Sequence, residues 1–536
     1  MKSVCLFAAL AIALAACSKA PESTMPTTGS AAPPAVAAAT PVSADVEDGI
    51  AWRTGDVDMA FAAANSAHKP VFLYWGAKWC PPCNQIKATV FNRQDFIERS
   101  RHFVPVYIDG DSPNAQRLGS RFKVSGYPTM ILFTPGGAEI TRLPGDVDAE
   151  QYMQVLAMGM NGARPMKETL AGALAPGAPG LSPDDWRMLS FYSWEVDDQQ
   201  LVAKAELAPT LQRLASACPA DQPESATRLK LQALAAFATA KDVKPRDDKD
   251  GAAALHKVLV DPKVARANFG VLTNYADDLA KYVTLPKSAE RAQLVADWNG
   301  ALARLIADPS LSTADRLTAV TAQVKLASIN GGTAALPPSL QQSVREQAAR
   351  ADRETTDPYA RGAVISTAAD ALEEAGLMAE SDAMLTAELT RSQSPYYYML
   401  GLAANARKRG DKAGALAWYE KAHAAADGPA TRLQWGASYV SALVELSPQD
   451  AARIEAVATQ VVGELKPTPD TFFGRNQKSL ERLGRKLEAW NKGNEHAASL
   501  QKVRGQMAGV CGKLPSGDPA RAACDGALWP AKATPS

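Results

Sequence analysis

The stretch Val71-Phe72-Leu73-Tyr74-Trp75-Gly76-Ala77-Lys78-Trp79-Cys80-Pro81-Pro82-Cys83 decides how this chain folds. Val71 to Trp75 is an unbroken run of aromatic and aliphatic residues, which predicts a short strand buried on both faces. The cysteine pair that follows should open a helix running from Cys80 to about Val90. Pro81 suits a first helical position, where no N–H bond is lost, and it biases Cys80 out of the helical region. Working outward, Asp56 to Ala67 reads as a helix, Phe103 to Asp109 as a strand and Ser112 to Phe122 as a helix. Thr129 to Phe133 and Ala138 to Leu143 read as a hairpin closed around Pro135-Gly136-Gly137. Asp148 to Gly159 closes the unit as a helix. Strands alternating with helices, then a hairpin, predict a mixed α/β sheet covered by helices on both faces over residues 48–163.

Two motifs stand together in this unit. Trp79-Cys80-Pro81-Pro82-Cys83 follows the buried strand, and Tyr127-Pro128-Thr129 begins the hairpin 45 residues beyond Cys83. Strand, Trp-Cys-x-x-Cys, helix and a proline before a late strand is an arrangement that resembles the thioredoxin superfamily. Lys69-Pro70-Val71 through Cys80 is most similar to the periplasmic thioredoxin-like domains of the DsbD type. The resemblance implies a thioredoxin fold and a redox-active dithiol that needs no other cofactor. Cys80 would sit at the exposed start of the helix, where free N–H groups and the dipole favour thiolate over thiol. Cys83, one turn inward, would resolve the mixed disulfide. The resemblance further implies that Pro128 is cis and faces Cys80, presenting backbone groups to a substrate strand. Trp79 and Tyr127 would flank the sulfur, with Pro81 and Pro82 shaping the turn.

Other readings of the pair remain open. Cys80 and Cys83 could form a static bridge or half of a zinc site, although no further ligands stand at suitable spacing and the five histidines are scattered. A bridge closing so short a loop contributes little stability. The direction of electron flow is read from the two intervening residues. Both are proline, without the histidine of the oxidising members, so less thiolate stabilisation implies a more reducing couple. One departure stands against rapid turnover: relatives place a buried acid six residues before the first cysteine, and this chain has Tyr74 there. Proton removal from Cys83 would then fall to water or to another group such as Lys78.

The N-terminus reads as an export signal. Lys2 is followed by an apolar run from Val4 to Ala16 and by Leu14-Ala15-Ala16-Cys17, too short to span a bilayer. These residues resemble the lipobox of bacterial lipoproteins, in which the cysteine thiol is acylated, so residues 1–17 are expected to be a signal peptide and Cys17 the lipid anchor. Ser18 resembles the sorting signal for the outer membrane, and a plain secretory signal is the alternative. Residues 18–47, rich in Ala, Pro, Thr and Ser, are expected to form a disordered tether. Export to the bacterial envelope would make the other cysteines disulfide candidates.

Beyond a linker at 164–183, residues 184–505 lose all strand signals and present about a dozen Ala/Leu-rich amphipathic stretches, an expected all-α array. Breaks fall near Lys244-Pro245, Gly331-Gly332, Pro337-Pro338 and Pro467-Thr468-Pro469. Gly376 and Gly410 are 34 residues apart, the tetratricopeptide period, and Leu402, Gly410, Asp411, Ala415, Tyr419 and Ala422 match that repeat. Ser381 stands where its packing alanine belongs, and an unrelated helical hairpin is the alternative. In the tail at 506–536 the Gly/Pro-containing stretch from Gly509 to Trp529 is expected to be past the helical pattern, and Cys511 and Cys524 are expected to be a structural disulfide, worth roughly 3 kcal/mol in the chain-entropy model. Cys218 reads as a buried small apolar residue.

With 57 basic and 57 acidic residues, no global charge points to nucleic acid. The expected function is therefore reduction of disulfides in exported proteins, fed by an upstream thiol reductant such as a DsbD-like membrane protein. The array, with Trp435 and Tyr396-Tyr397-Tyr398, would dock or recognise substrate. A binding scaffold with a weakly active thioredoxin domain, and an oxidase or isomerase, are the alternatives.

Overall fold

A computed structural model describes residues 44–47, 49–145, 147–162, 164–177, 180–331 and 336–529. The expected signal peptide, Cys17 and the tether up to residue 43 lie outside the described residues, as do residues 530–536. Ala44–Glu47, expected as part of the tether, is instead a strand, β1, paired antiparallel with β2 (Ile50–Arg53).

The remaining elements of the first domain are α1 (Val57–Ala67), β3 (Val71–Gly76), α2 (Pro81–Ile86), α3 (Gln94–Ser100), β4 (Val104–Asp109), α4 (Ala115–Arg121), β5 (Thr129–Phe133), β6 (Glu139–Leu143) and α5 (Ala149–Met160). The helix expected to reach Val90 does so through a wider turn of π type at Lys87–Phe91. The sheet runs β1-β2-β4-β3-β5-β6, with β3 parallel to β4 and antiparallel to β5. Every residue of β3 is buried, the consequence of helices on both faces. Its alternation divides the core. Phe72 and Tyr74 join Trp52, Phe91 and Phe96 on one face, while Val71, Leu73 and Trp75 join Phe122, Ile131 and Phe133 on the other.

The first of these cores does not stop at the domain edge. It continues into Met166, Trp186, Tyr192, Leu211 and Leu229. The segment expected as a linker carries the helix Met166–Leu174, which buries Met166, Leu170 and Ala173. Arg142 of β6, wholly buried, fastens this junction. Its guanidinium donates to Glu139, to the carbonyls of Phe122 and Lys123, and to the Val196 carbonyl beyond the domain.

Twenty α-helices follow α5 among the described residues, more than the dozen amphipathic stretches suggested. Several, such as Pro262–Ala267 and Phe269–Asn274, are too short to show a 3.6-residue period. Gly376 and Gly410 both have positive φ and turn the chain between successive helices. The Ser381 hydroxyl is satisfied by donating to the Ala369 carbonyl and accepting from Asn405.

Two sequence expectations near the cysteines are corrected. Residues 509–529 are not a non-helical tail: Ala497–Cys511 continues as helix through Gly505 and Gly509, whose faces meet nothing, and Pro519–Ala527 forms another, capped by Asp518. Gly and Pro here mark an open face and a first turn, and the Cys511–Cys524 disulfide joins the two helices. Cys218 is half-buried rather than enclosed, because it caps the helix Leu207–Ala217; burial and the nearby Asp221 push its thiol up to about 11. No helix among the described residues is long and apolar enough to cross a membrane.

Candidate active site

β3 delivers the dithiol. After Gly76 the chain turns, with the Cys80 N–H donating to the Ala77 carbonyl at 3.2 Å. Cys80 is extended (φ −79°, ψ 110°) and caps α2, its sulfur accepting from the Cys83 N–H at 3.2 Å. Cys80 and Cys83 are joined by a disulfide, with Cα atoms 5.2 Å apart. The Tyr127–Pro128 bond is cis. Because Thr129 pairs with Trp75 across β3 and β5, Pro128 lies level with Gly76, beside the turn that leads to Cys80. Pro81 and Pro128 are half-buried and Pro82 is exposed.

Tyr74 packs against Tyr107 with ring centroids 5.1 Å apart and against Phe91 at 4.9 Å. Gly76 makes room for it, since a Cβ there would lie 2.6 Å from the Tyr74 hydroxyl. An aromatic side chain thus fills the volume that the resemblance assigns to a buried acid. Lys78 points to solvent.

The expectation that Cys80 is exposed is overturned: Cys80 is 2 % exposed and Cys83 0 %. The reason is tertiary, because the helical region lies over the face that presents the dithiol. The Trp79 indole N–H donates to the Thr431 hydroxyl at 2.8 Å, across 352 residues of sequence. Its ring stacks on Tyr397 (5.9 Å, 15°), meets Trp435 edge-on at 4.8 Å and lies 6.3 Å from Tyr127. Tyr397 stands on the helix Pro395–Lys408, and Thr431 and Trp435 on the helix Pro429–Leu446. The aromatic cluster noticed in the sequence therefore faces this chain's own redox motif.

Polar contacts ring the same face. Asp111, just past β4, accepts from the Thr431 N–H at 2.8 Å and from its hydroxyl at 2.5 Å. Gln85 of α2 donates to Asp315 at 2.6 Å, and the Arg117 N–H donates to Asp470 at 2.9 Å. Gln116 accepts from the Arg475 N–H at 3.0 Å, and Ser120 from the Gly474 N–H at 2.8 Å. Burial pushes Asp111, Asp315 and Asp470 all above the usual aspartate range. Two glycines allow the close approach. Gly428 has φ 90° and Gly474 φ 56°; a Cβ would lie 2.3 Å from the Asp111 carboxyl carbon at the first and 2.7 Å from the Gln116 carbonyl at the second. Beside the Asp111–Thr431 pair opens a cleft of about 770 Å³, bounded by Gly110 to Asn114 on one side and by Arg432, Glu464 and Asp470 on the other.

Thr431, Asp111, Gln116 and Arg475 carry no motif, and sequence reading missed them. The feature they share, a glycine at the start of a helix in Gly428-Pro429 and Gly474-Arg475, is too common to signal a contact. Among the described residues no group of three or more His, Cys, Asp or Glu side chains is placed to hold a metal ion.

A disulfide at the N-terminus of a helix, after a central strand and beside a cis proline that opens a hairpin, defines a thioredoxin-fold dithiol site. The thioredoxin-like domain family matches residues 57–159. Over 85 residues the chain is 32 % identical to thioredoxin 1 of Chlorobaculum tepidum, covering 16 % of this chain and 79 % of that protein; through this domain, the chain belongs to the thioredoxin family. It is also 34 % identical over 101 residues to the thiol:disulfide interchange protein DsbD 1 of Pseudomonas aeruginosa, covering 17 % of this chain and 16 % of that relative. With DsbD of Pseudomonas fluorescens it shares 31 % over 99 residues, 18 % of this chain and 17 % of that relative. The chain thus spans about one sixth of the length of these DsbD relatives. Among solved structures, a thioredoxin from Thermus thermophilus matches at 28 % identity over 20 % of this chain and 89 % of its own, TM-score 0.18. The DsbH oxidoreductase matches at 18 % over 24 % and 95 %, TM-score 0.20.

Proposed function

We propose that this protein is a cell-envelope thiol–disulfide oxidoreductase that reduces disulfides of exported proteins, with its helical region controlling access to the dithiol. The observation that carries the reading is the Cys80–Cys83 disulfide at the start of α2 beside the cis Tyr127–Pro128 bond.

In the working direction the reduced chain attacks. The Cys80 thiolate bonds to one sulfur of a substrate disulfide and expels the other as a thiolate. Cys83 then loses its proton and attacks the Cys80 sulfur, releasing the second substrate sulfur. Two electrons and two protons pass to the substrate, and the chain is left as the Cys80–Cys83 disulfide. An upstream dithiol, of the kind a DsbD-like membrane reductase would present, returns the pair to the reduced form. Pro81 and Pro82 supply no charge to the thiolate, which supports the reducing direction. Acylation at Cys17 would tether the protein to the periplasmic face of the outer membrane. The tetratricopeptide-like spacing supports a docking role for the helices, and the Cys511–Cys524 bridge a structural one.

The covering of Trp79 favours a second reading, a binding protein whose thioredoxin domain turns over little. Reduction of a model protein disulfide by wild type and by Cys80→Ser separates the two. Equal rates eliminate the oxidoreductase, and a rate lost in the variant supports it. Equilibration with glutathione fixes the direction: a couple well above about −200 mV marks an oxidase or isomerase instead.

A further inference from the structure

One cation from the far end of the chain reaches the two rings that neighbour the dithiol. Arg475, in the first turn of the helix Gly474–Trp490, places its guanidinium carbon 4.7 Å from the Tyr127 ring centre and 5.8 Å from that of Trp79. These two rings belong to the chain neighbours of Pro128 and Cys80. The backbone on which the arginine rides is pinned: Gln116 accepts from the Arg475 and Asn476 N–H groups, and Ser120 from that of Gly474.

The charge is not neutralised where it lies. Its polar partner is the Gln434 amide oxygen, 3.4 Å from Nε and 3.3 Å from Nη2, and no carboxylate pairs with it among the described residues. Burial accordingly lowers its proton affinity, with Arg482 adding like-charge repulsion. Negative charge does stand nearby. Asp111 and Asp109 act on the Tyr127 phenol too, in the opposite sense to Arg475, and the Asp111 carboxylate is occupied by Thr431.

Anions gain most from a cation held in a partly dehydrated site, since the local dielectric is low and the charge cannot relax away. When the disulfide is reduced, the anion that forms next to Trp79 in the chain is the Cys80 thiolate. We propose that Arg475 is a positioning residue which, from the helical region, stabilises the Cys80 thiolate and makes the couple more oxidising than the thioredoxin domain alone would be. It supplies from outside the Cys-Pro-Pro-Cys turn the positive charge that the turn lacks. The inference rests on Cys80 being the attacking sulfur.

The test compares full-length Arg475→Met, which keeps the bulk and loses the charge, with Arg475→Lys, which keeps the charge. Two quantities are read for each: the equilibrium with glutathione, and the thiolate absorbance of reduced protein against pH. A partly dehydrated cation close to a thiolate shifts such an equilibrium on the order of tenfold. Met should move the couple about tenfold toward the disulfide and raise the titration midpoint of Cys80, while Lys stays near wild type. A third variant, Gln434→Glu, sets a carboxylate against the guanidinium without disturbing its stacking and should shift both readings in the same direction as Met. If Met and Lys shift together, or Met and Glu leave both readings at the wild-type value, Arg475 is packing cement and the inference falls. Should Met not fold, the Glu variant decides alone. Neither reading needs turnover, so inactivity toward every protein disulfide would refute the proposed function while leaving this result standing.

Discussion

Replacing Thr431 by valine keeps the shape of the side chain and deletes one hydroxyl. That hydroxyl accepts from the Trp79 indole at 2.8 Å and donates to Asp111 at 2.5 Å, and Thr431 is almost wholly buried. A neutral buried hydrogen bond contributes about 0.5–1.5 kcal/mol net and one to a charged group about 1.5–3 kcal/mol, so closure of the helical region loses about 2–4.5 kcal/mol. In an open state both groups would be solvated, and the loss therefore falls on the closed form. At about 1.4 kcal/mol per factor of ten, the open fraction rises on the order of a hundredfold. The assay is alkylation of the reduced protein by a bulky thiol reagent, followed at Cys80. If the helices gate the dithiol, Thr431→Val reacts on the order of a hundred times faster than wild type, up to the rate of an unhindered thiol. An unchanged rate, with the variant folded, would refute the gate.

The interface carboxylates make the same closure pH-dependent. Burial raises Asp111, Asp315 and Asp470, so each binds its proton more tightly when the helices are closed than when they are open. The closed form is therefore favoured as pH falls from neutrality toward the ordinary aspartate value of 3.8, and loses that advantage as pH rises through the raised values. Hydrogen exchange of the 426–433 turn should slow, beyond its chemical pH dependence, on acidification through this window, and Asp111→Asn should flatten the trend. Cys83→Ala should leave substrate proteins covalently held on Cys80, seen as reducible adducts that Cys80→Ser does not form. Arg142→Met removes the cation beside Glu139 and Asp197 and strips three backbone carbonyls of their donor in the junction and should cost about 3–5 kcal/mol in denaturant unfolding; a loss below about 1 kcal/mol would show the network to be dispensable.

Local chemistry determined most of the first domain. A run of apolar residues such as Val71 to Trp75 favours burial on both faces, a Cys-Pro-Pro-Cys turn after it favours a helix start, and a strand-helix alternation closed by a hairpin leaves few topologies. These signals act within a dozen residues, and the sequence displays them directly. It misjudged Gly509 and Pro519, because a glycine on an open helix face and a proline in a first turn look like breakers when their surroundings are unknown.

What surrounds the sulfur was decided elsewhere. The Trp79 ring, next to Cys80, meets Thr431 and Arg475, more than 350 residues away, which have no recognisable spacing because the contact is made by two surfaces rather than by one segment. Only the folded chain brings the Trp79 ring against Tyr397 and Trp435, buries a dithiol that the local sequence would leave exposed, and sets the Arg475 cation over the Trp79 and Tyr127 rings. Burial and charge are sums over neighbours in space, and the linear order of residues does not contain that sum.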